Sequence, residues 1–363
     1  MRRRAPSRSE SLTTGQPHER AGARASALGA CMLLGLIFSA CDSPIAPPDV
    51  APDPTGPCQT ANSLCQERIA IGDGHLLPVY RTHALDMEHE EVTRGLIVIH
   101  GTNRNADTYF SSGVQAAADG GQRSTTVVIS PQFQTEDDGP AVDEPFWSSS
   151  GWKRGHLSST NGPSPRVSSY AALDSLVAQL LDSSRFPALQ EVVVTGHSAG
   201  GQVVHRYAAT STLQERHPGT RFRYVVANPS TYLYLRPERA GGGGEFSTPT
   251  DQGCEDFDDW HYGLEGRNTY ASAVPADTIR VQLSRRDVRI LIGDADSLSA
   301  ALDVTCGANL QGPYRYARGQ NLVRFMDTFF PGHGHREMVV PGIGHSNRSM
   351  WLSETGLQSL FGM

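Results

Sequence analysis

Lysine is almost absent from this chain of 363 residues: Lys153 is the only one, and no cluster of basic residues follows the first 40 positions. Those 40 positions hold six arginines and two glutamates, which leaves 25 basic against 36 acidic residues, a formal net charge of −11 for the remainder. Binding to nucleic acid needs clustered positive charge that neutralises phosphates. We therefore expect no nucleic-acid partner.

Hydrophobic runs long enough to span a bilayer, about 20 residues, are missing as well, and so are internal repeats. A shorter apolar run, "ALGACMLLGLIFSA" at residues 27–40, follows an arginine-bearing segment and is typical of a secretory signal peptide. It leads into "FSAC", which resembles a bacterial lipobox, where small residues precede a cysteine that becomes lipidated. We predict a signal peptide at residues 1–40 and a lipid on Cys41. Because Phe38 stands where a lipobox usually has leucine, an ordinary signal peptide, cleaved without lipidation, is the alternative interpretation.

Proline is frequent in the next segment, "DSPIAPPDVAPDPTGP", and periodic apolar residues are lacking there. This composition predicts an extended tether rather than a packed element. We assign residues 41–66 to the tether and expect it to hold a folded domain away from a membrane. The protein would then be a membrane-anchored lipoprotein in the periplasm or at the cell surface, or a secreted protein if Cys41 carries no lipid.

Cysteine is scarce, with six residues, and no two of them have the C-x2-C spacing of a zinc site. Cys31 leaves with the signal peptide and Cys41 takes the lipid, so an even number remains in an oxidising compartment, where thiols pair. Two disulfides are therefore expected. The simplest of the three pairings joins Cys58 to Cys65 and Cys254 to Cys306.

From residue 95 onward, short β-branched runs alternate with segments of helical period. The runs are "GLIVIH", "TTVVIS", "EVVVTG", "FRYVVAN", "VRILIG" and "EMVV". Strands that are apolar throughout belong to a parallel sheet covered on both faces. The predicted fold class is α/β, with a doubly wound, mostly parallel sheet, in a domain at residues 67–363. Near its start, "ERIAIGDGHLLPVYRT" predicts an antiparallel hairpin that opens the sheet.

A segment at about residues 229–280 interrupts this alternation. It contains four consecutive glycines, the acidic stretch "CEDFDDWHYG" and no clear strand. A connection of this length in a compact domain usually serves as a lid or a binding element. We predict a lid-like insertion, with a solvated excursion pinned by Cys254 as the alternative. Calcium at residues 255–259 is conceivable, but a solvated acidic loop is the simpler interpretation.

The stretch "EVVVTGHSAGGQ" at residues 191–202 places a serine between glycines directly after a strand pattern. The glycines let the backbone bend sharply enough to present the hydroxyl of Ser198, as in a G-x-S-x-G nucleophile elbow. For the bare motif, an ordinary serine in a glycine-rich turn is the alternative. The remaining motifs decide between these interpretations.

Together with "HGTNRNADTYF", the stretch "GHSAGGQVVHRYA" resembles the secreted bacterial and fungal esterases and lipases of the α/β-hydrolase superfamily, over about residues 67–352. The resemblance implies an α/β-hydrolase fold and a catalytic serine, acid and histidine in that chain order. Ser198 would be the nucleophile, with the positive end of the following helix beside it.

The acid and the base are expected after the last two strand patterns. His345, in "VVPGIGHSNRSM", follows the last one, and a glycine-bearing loop can bring its imidazole over the elbow. The acid should follow "VRILIG", where Asp296 fits the G-x-x-D pattern of relatives and Asp294 is the reserve choice. A structural role suits Asp303 better.

An oxyanion intermediate needs two hydrogen-bond donors already aimed at it. The backbone N–H of Ala199 is one. The other is the N–H of Thr102, because "HGT" matches the HGx pattern of the family. Asn103 and Arg104 are close enough in sequence to touch substrate, or else they hold the loop or cap the next helix.

Aromatic side chains are few, at 7% of the chain, but four of them stand in polar segments next to the expected catalytic face. They either line a pocket for an apolar or ring-bearing substrate or bury themselves in the scaffold. The four are Trp147, Trp152, Trp260 and Tyr262.

The leading hypothesis is an exported serine hydrolase that cleaves a small or polymeric carboxylic ester through an acyl-enzyme. Acyl or peptidyl transfer by the same triad is the alternative within enzymes, and a catalytically silent binding lipoprotein is the alternative outside them. No cofactor is implied, because side chains suffice for this chemistry. No metal site is predicted either, since His333 and His335 lack a third ligand.

Overall fold

The structure is a computed structural model that describes residues 57–250, 253–299 and 301–362. The predicted signal peptide, the predicted lipid on Cys41 and most of the predicted tether lie outside the described residues. Within those residues, no helix is both long enough and apolar enough to cross a membrane.

An eight-stranded sheet forms the centre of the domain, with the order β1-β2-β4-β3-β5-β6-β9-β10. The pairs β1–β2 and β2–β4 are antiparallel, and all other neighbours are parallel. A separate antiparallel pair, β7–β8, lies between β6 and β9 in the chain. The strands are β1 (Gln66–Ala70), β2 (Leu76–Arg81), β3 (Arg94–Ile99), β4 (Thr126–Pro131), β5 (Glu191–His197), β6 (Arg221–Ala227), β7 (Arg239–Ala240), β8 (Phe246–Ser247), β9 (Asp287–Gly293) and β10 (His335–Val340).

Helices cover both faces of the sheet, and the buried clusters show which helix lies on which face. Apolar residues of α2, α3, α6 and α8 belong to one cluster. Those of α1, α9 and α10 belong to the other. The helices are α1 (Ala106–Asp119), α2 (Ser169–Leu180), α3 (Ala199–Thr210), α4 (Leu213–Arg216), α5 (Thr269–Ser272), α6 (Ala276–Arg285), α7 (Cys306–Asn309), α8 (Arg315–Phe329), α9 (Asn347–Leu352) and α10 (Glu354–Phe361).

Central strand β5 shows why the sequence forms this sheet. Its residues alternate between the two faces, as a pleated strand requires: Val192 and Val194 pack in one cluster, and Val193 packs in the other. All seven residues of the strand are buried. The predicted fold class, a doubly wound and mostly parallel α/β sheet, is therefore confirmed, and all six predicted strands and the opening hairpin are present.

Both predicted disulfides are also present. Cys58 pairs with Cys65, and Cys254 pairs with Cys306, each with a Cα–Cα distance of 5.6 Å. The first closes a small loop against β2, where the Cys58 N–H donates to the carbonyl oxygen of Thr82 at 2.6 Å. The second ties the segment between β6 and α6 to the start of α7.

That long segment between β6 and α6 has its own centre at Arg239. The Arg239 guanidinium is buried, pairs with Asp258 at 3.0 Å and lies 4.4 Å from the ring centre of Tyr234. The segment also contacts the turn at Arg154, whose carbonyl oxygen accepts a hydrogen bond from the indole N–H of Trp260 at 2.8 Å. One member of the acidic stretch thus neutralises an arginine, and a lid role for the segment stays a prediction.

Candidate active site

Ser198 stands alone between β5, which ends at His197, and α3, which begins at Ala199. Its backbone has φ 59° and ψ −117°, a strained conformation for a residue with a side chain. Glycine is required on both sides. A Cβ on Gly196 would lie 2.5 Å from the backbone of Gly200, and one on Gly200 would lie 2.7 Å from the carbonyl oxygen of His100. The geometry is that of the predicted elbow.

The backbone around Ser198 fixes the position of its side chain. Its N–H donates to the carbonyl oxygen of Ala227 in β6 at 2.9 Å, and its own carbonyl oxygen accepts from the N–H of Gln202 at 3.2 Å. The residue is 8% exposed. Ser198 therefore lies at the positive end of α3, which favours negative charge developing nearby.

His345 and Asp296 form a hydrogen-bonded pair, with 2.7 Å between Nδ1 of the imidazole and Oδ2 of the carboxylate. Asp296 is fully buried, whereas the His345 side chain is 26% exposed. Because a carboxylate accepts and does not donate, Nδ1 carries the proton and Nε2 keeps a lone pair. His345 and Ser198 line one cleft of about 270 Å³, together with Tyr109 and Asn347.

The contacts of the two candidate acids, Asp296 and Asp294, differ. The Arg315 guanidinium lies 3.5 Å from Oδ1 of Asp296, with both side chains fully buried. The reserve choice, Asp294, is exposed and instead accepts the N–H of Gly342 at 2.6 Å. Asp294 thus ties the acid loop to the loop that carries His345, and only Asp296 contacts the imidazole.

Asn228 was missed in the sequence, although it lies directly after β6. Its Oδ1 accepts the N–H of Gly293 at 2.9 Å, and its Nδ2 donates to the carbonyl oxygen of Gly344 at 3.3 Å. Its own backbone has φ 40°, which asparagine tolerates better than most residues. One buried amide therefore joins the strand before Asp296 to the residue before His345.

His197 packs beneath His345, with 4.4 Å between the ring centres. Burial lowers the pKa of His197 well below its usual value, and the nearby charges of His345 and Arg315 lower it further. His197 therefore stays neutral when its neighbour takes a proton. His197 occupies a variable position of the G-x-S-x-G motif and has a packing role there, because its ring lies against the ring of His345.

The predicted oxyanion donors, Thr102 and Ala199, both lie beside Ser198. Thr102 and Ala199 line a second cleft of about 330 Å³, which also contains Ser198. Neither backbone N–H donates to another group in the described parts of the chain. The loop is held by Arg104, which has φ 54° and pairs with Asp138 at 2.7 Å.

Of the residues predicted to contact substrate, some line a cleft beside Ser198 and others do not. Asn103 lines the first cleft, beside His345. Trp147 and Trp152 are buried and lie 5.6 and 5.9 Å from the ring of Phe133. Trp147 also borders a separate groove with Arg104, but it lines neither cleft beside Ser198.

Trp260 and Tyr262 likewise line neither cleft. Trp260 packs against the core, and Tyr262 donates its hydroxyl to Asp303 at 2.9 Å. Between them, His261 does line the second cleft. Their contact with substrate stays a prediction.

Several polar residues that the sequence did not indicate line the second cleft. For Lys153 and Arg154 the sequence offered one signal: the two stand side by side in "GWKRG", and Lys153 is the only lysine of the chain. The missed residues are Lys153, Arg154, Gln202, Ser230 and His261.

Metal-binding groups lie elsewhere. In the described part of the chain, His83, His89 and Glu91 are the one group of three whose ligand atoms all lie within 4.8 Å of one another, and none of them lines either cleft. In the "HGH" sequence, His333 contacts Asp327 at 3.0 Å and His335 is buried.

Comparisons with known proteins agree on the architecture. The structure is similar to a poly(3-hydroxybutyrate) depolymerase from Bordetella parapertussis, with a TM-score of 0.57 and 22% identity, covering 82% of this chain and 90% of that one. It is also similar to poly(aspartic acid) hydrolase-1 from Sphingomonas sp. KT-1, with a TM-score of 0.55 and 25% identity, covering 78% and 94%. No protein-family model and no curated protein sequence matches the chain. The structural likenesses establish the fold that these proteins share.

Proposed function

We propose that this chain, which has the α/β-hydrolase fold, is a serine hydrolase that cleaves carboxylic esters through an acyl-enzyme. The observation that carries the proposal is the 2.7 Å hydrogen bond from His345 to the buried Asp296, at a cleft that His345 shares with Ser198. A nucleophile, a base and a group that orients the base are the three parts that acyl transfer by serine requires.

In the first half of the reaction, Ser198 Oγ attacks the ester carbonyl carbon and its proton passes to Nε2 of His345. The resulting oxyanion accepts hydrogen bonds from the N–H groups of Thr102 and Ala199, each worth about 3 kcal/mol of barrier. The C–O bond to the alcohol then breaks, and the departing oxygen takes the proton from His345. The acyl group remains as an ester on Ser198.

In the second half, water attacks the acyl-enzyme and gives a proton to His345. The carboxylic acid leaves when Ser198 Oγ regains that proton. Asp296 keeps its charge throughout and stabilises the imidazolium that forms twice in the cycle. Because Asp296 is fully buried and Arg315 lies 3.5 Å away, this charge is fixed in place before substrate arrives.

The two similar structures support cleavage of an ester or polymer. One is named for depolymerising poly(3-hydroxybutyrate), and the other for hydrolysing poly(aspartic acid). Both clefts beside Ser198 are partly open, so a chain passing across the elbow can reach the nucleophile. Small and polymeric esters are therefore both within the proposed substrate class.

We also propose that the protein is exported and acts in the periplasm, at the cell surface or outside the cell. Two disulfides support this location, because such bonds persist in oxidising compartments. Attachment to a membrane through lipidated Cys41 is the finer proposal. Mass spectrometry of the mature N-terminus decides it: a lipid on Cys41 is the expected result, and a free terminus after cleavage contradicts it.

The test of function is hydrolysis of p-nitrophenyl esters from acetate to palmitate by the purified mature domain and by Ser198→Ala. We expect turnover that disappears in the variant and persists in EDTA, together with labelling of the parent protein by a fluorophosphonate. Products formed with added alcohols separate transfer from hydrolysis. A folded protein that neither hydrolyses these esters nor reacts with the fluorophosphonate is the catalytically silent alternative.

A further inference from the structure

We propose that the cleft beside Ser198 that contains Lys153 and Arg154 binds a carboxylate on the acyl part of the substrate. This inference rests on the proposed function, because it specifies which ester the same nucleophile cleaves. It makes the preferred substrate a half-ester of a dicarboxylic acid, or a chain segment that carries such an acidic group.

The positions of the catalytic groups separate the two sides of the substrate. The first cleft contains His345, which must give its proton to the departing alcohol, so the alcohol part lies there. Ser198 and Thr102 line both clefts, whereas the oxyanion donor Ala199 lines only the second and His345 only the first. The acyl part of the ester therefore extends into the second cleft.

Two cations, Lys153 and Arg154, border that second cleft. Lys153 and Arg154 occupy one short turn, Trp152–Arg154, and line the cleft. In the part of the chain that the structure describes, the ammonium group of the first and the guanidinium group of the second make no hydrogen bond and no ion pair. A substrate carboxylate is the natural partner for both.

The backbone of the same turn is held firmly. The Lys153 carbonyl oxygen accepts from the Tyr170 hydroxyl at 2.9 Å and from Arg206 at 3.2 Å. The Arg154 carbonyl oxygen accepts from the indole of Trp260 at 2.8 Å and from the amide of Asn268 at 2.6 Å. The two charged side chains are therefore carried by a fixed support, which lowers the entropy cost of binding an anion.

A third cation, Arg206, lies behind the cleft on α3 and is fully buried. Among the described residues, its guanidinium donates only to neutral acceptors, including Gln202 Oε1 at 3.3 Å and Thr231 Oγ1 at 2.8 Å. Burial lowers the pKa of Arg206 to about 10, so the group stays charged at neutral pH. A buried charge without a counter-ion is unfavourable, and a bound carboxylate would reduce that cost.

The acidic group at the cleft does not balance these cations. Asp303 lines it, but the Asp303 carboxylate already accepts from the hydroxyls of Tyr262 at 2.9 Å and Thr305 at 2.7 Å. Burial lowers the pKa of Lys153, and the charges of Arg206 and Arg154 lower it further against a smaller opposing effect of Asp303. The cleft is thus electropositive in a chain whose net charge is −7.

The experiment compares two p-nitrophenyl esters with the same glutaryl chain on the intact mature domain. One is mono-p-nitrophenyl glutarate, with a free carboxylate, and the other is its methyl ester, which is neutral. We expect wild-type kcat/KM to be higher for the carboxylate by roughly tenfold or more, as for a partly desolvated charge-assisted hydrogen bond. We expect the preference to appear mainly in KM and to weaken in high salt, which screens the pairing.

Substitutions test whether Lys153 and Arg154 cause the preference for the carboxylate ester. Lys153→Gln and Arg154→Gln should each bring the ratio of the two kcat/KM values closer to one, and Lys153→Arg should retain it. The matched control is Arg285→Gln, which removes the same charge from an exposed residue that lines neither cleft and should leave the ratio unchanged.

The outcomes distinguish this inference from the function beneath it. Equal hydrolysis of both esters by the wild type, or a ratio that the two glutamine variants do not change, overturns the carboxylate site and leaves ester hydrolysis intact. A loss of both activities in Ser198→Ala but not in the glutamine variants establishes that one nucleophile performs both reactions. Hydrolysis of neither ester overturns the proposed function and this inference with it.

Discussion

Asn228 donates its side-chain N–H to the carbonyl oxygen of Gly344, the residue before His345, at 3.3 Å. Through Oδ1 it also accepts the N–H of Gly293, three residues before Asp296. A single amide group thus joins the segments that carry the proposed base and the proposed acid. Asn228 touches no reacting atom, so we class it as a positioning residue.

We expect Asn228→Asp to lower kcat by roughly ten- to a hundredfold while KM changes little, because a slightly misplaced base costs rate rather than binding. Aspartate keeps the acceptor and tolerates φ 40° but loses the donor. Steady-state kinetics over a range of pH is the measurement, and the rate of fluorophosphonate labelling should fall in parallel. A change confined to KM, or to thermal stability, contradicts the positioning role.

Substitution of the two candidate acids, Asp296 and Asp294, should lower kcat to very different extents. Asp296→Asn leaves the shape of the site intact but favours the wrong imidazole tautomer, so we expect kcat to fall by about three to four orders of magnitude. Asp294→Asn keeps an oxygen that can accept the Gly342 N–H, on an exposed loop away from the imidazole, and should cost far less. If the larger loss belongs to Asp294, the assignment of the acid is wrong.

Gly200 has no room for a side chain. A Cβ there would lie 2.7 Å from the carbonyl oxygen of His100 and closer still to that of Ile99. We expect Gly200→Ala to destabilise the fold by about 1–3 kcal/mol, as overpacking does, and to abolish turnover by displacing the elbow. Gly219→Ala is the matched control, since no atom lies within 4 Å of its added Cβ. Urea unfolding of both variants measures the difference.

Stability should fall as the pH drops below about 6.5, the ordinary pKa of histidine. Burial lowers the pKa of His335 to about 3, and those of His100 and His83 to about 4. Folded protein therefore resists protonation that the unfolded chain accepts between pH 6.5 and 4, so protons favour unfolding in that window.

His335→Phe tests this pH dependence at one position. Both ring nitrogens of His335 are buried without a hydrogen-bond partner in the described part of the chain. At pH 5 the buried wild-type imidazole should lower the free energy of unfolding by about 2 kcal/mol relative to pH 8. The variant should lack this contribution, so its free energy of unfolding should depend less steeply on pH. Thermal unfolding from pH 8 to 4.5 measures it, and an unchanged slope argues against the shifted titration.

The two disulfides should contribute unequally to stability. They close loops with sequence separations of 52 and 7 residues, which by chain entropy correspond to about 4 and about 2 kcal/mol. We therefore expect the Cys254→Ser, Cys306→Ser double variant to unfold at lower urea concentration than the Cys58→Ser, Cys65→Ser variant. The reverse order would mean that strain or residual structure in the unfolded chain outweighs loop length.

The sheet could be predicted from sequence because each of its central strands is apolar throughout, as "EVVVTG" shows, and the elbow because Gly196 and Gly200 mark it. His345 followed from its place after the last strand. Each of these signals lies within a short stretch of sequence, and the order of the stretches along the chain shows how they belong together. Sequence reasoning located the strands and these loops because the information lies within one element and its neighbouring loop, while the catalytic roles of Ser198 and His345 remain proposals.

The second cleft could not be predicted in the same way. Lys153 and Arg154 reach it through the hydrogen bonds that fix their turn, and these join residues distant in the sequence, such as Arg154 and Trp260. Trp147 and Trp152 illustrate the opposite difficulty. They stand in a polar segment without periodicity, yet they are buried because the ring of Phe133 packs against both.

The Cys254–Cys306 bridge joins two segments that contribute to the wall of the second cleft. It fastens the segment that contains His261 to the turn that follows Asp303, and these two residues face the same cleft. In a reducing cytoplasm the bridge does not form, so, if the protein is exported as proposed, a newly made chain lacks this fastening until export. We expect catalytic competence to be acquired during maturation, which would spare esters inside the producing cell.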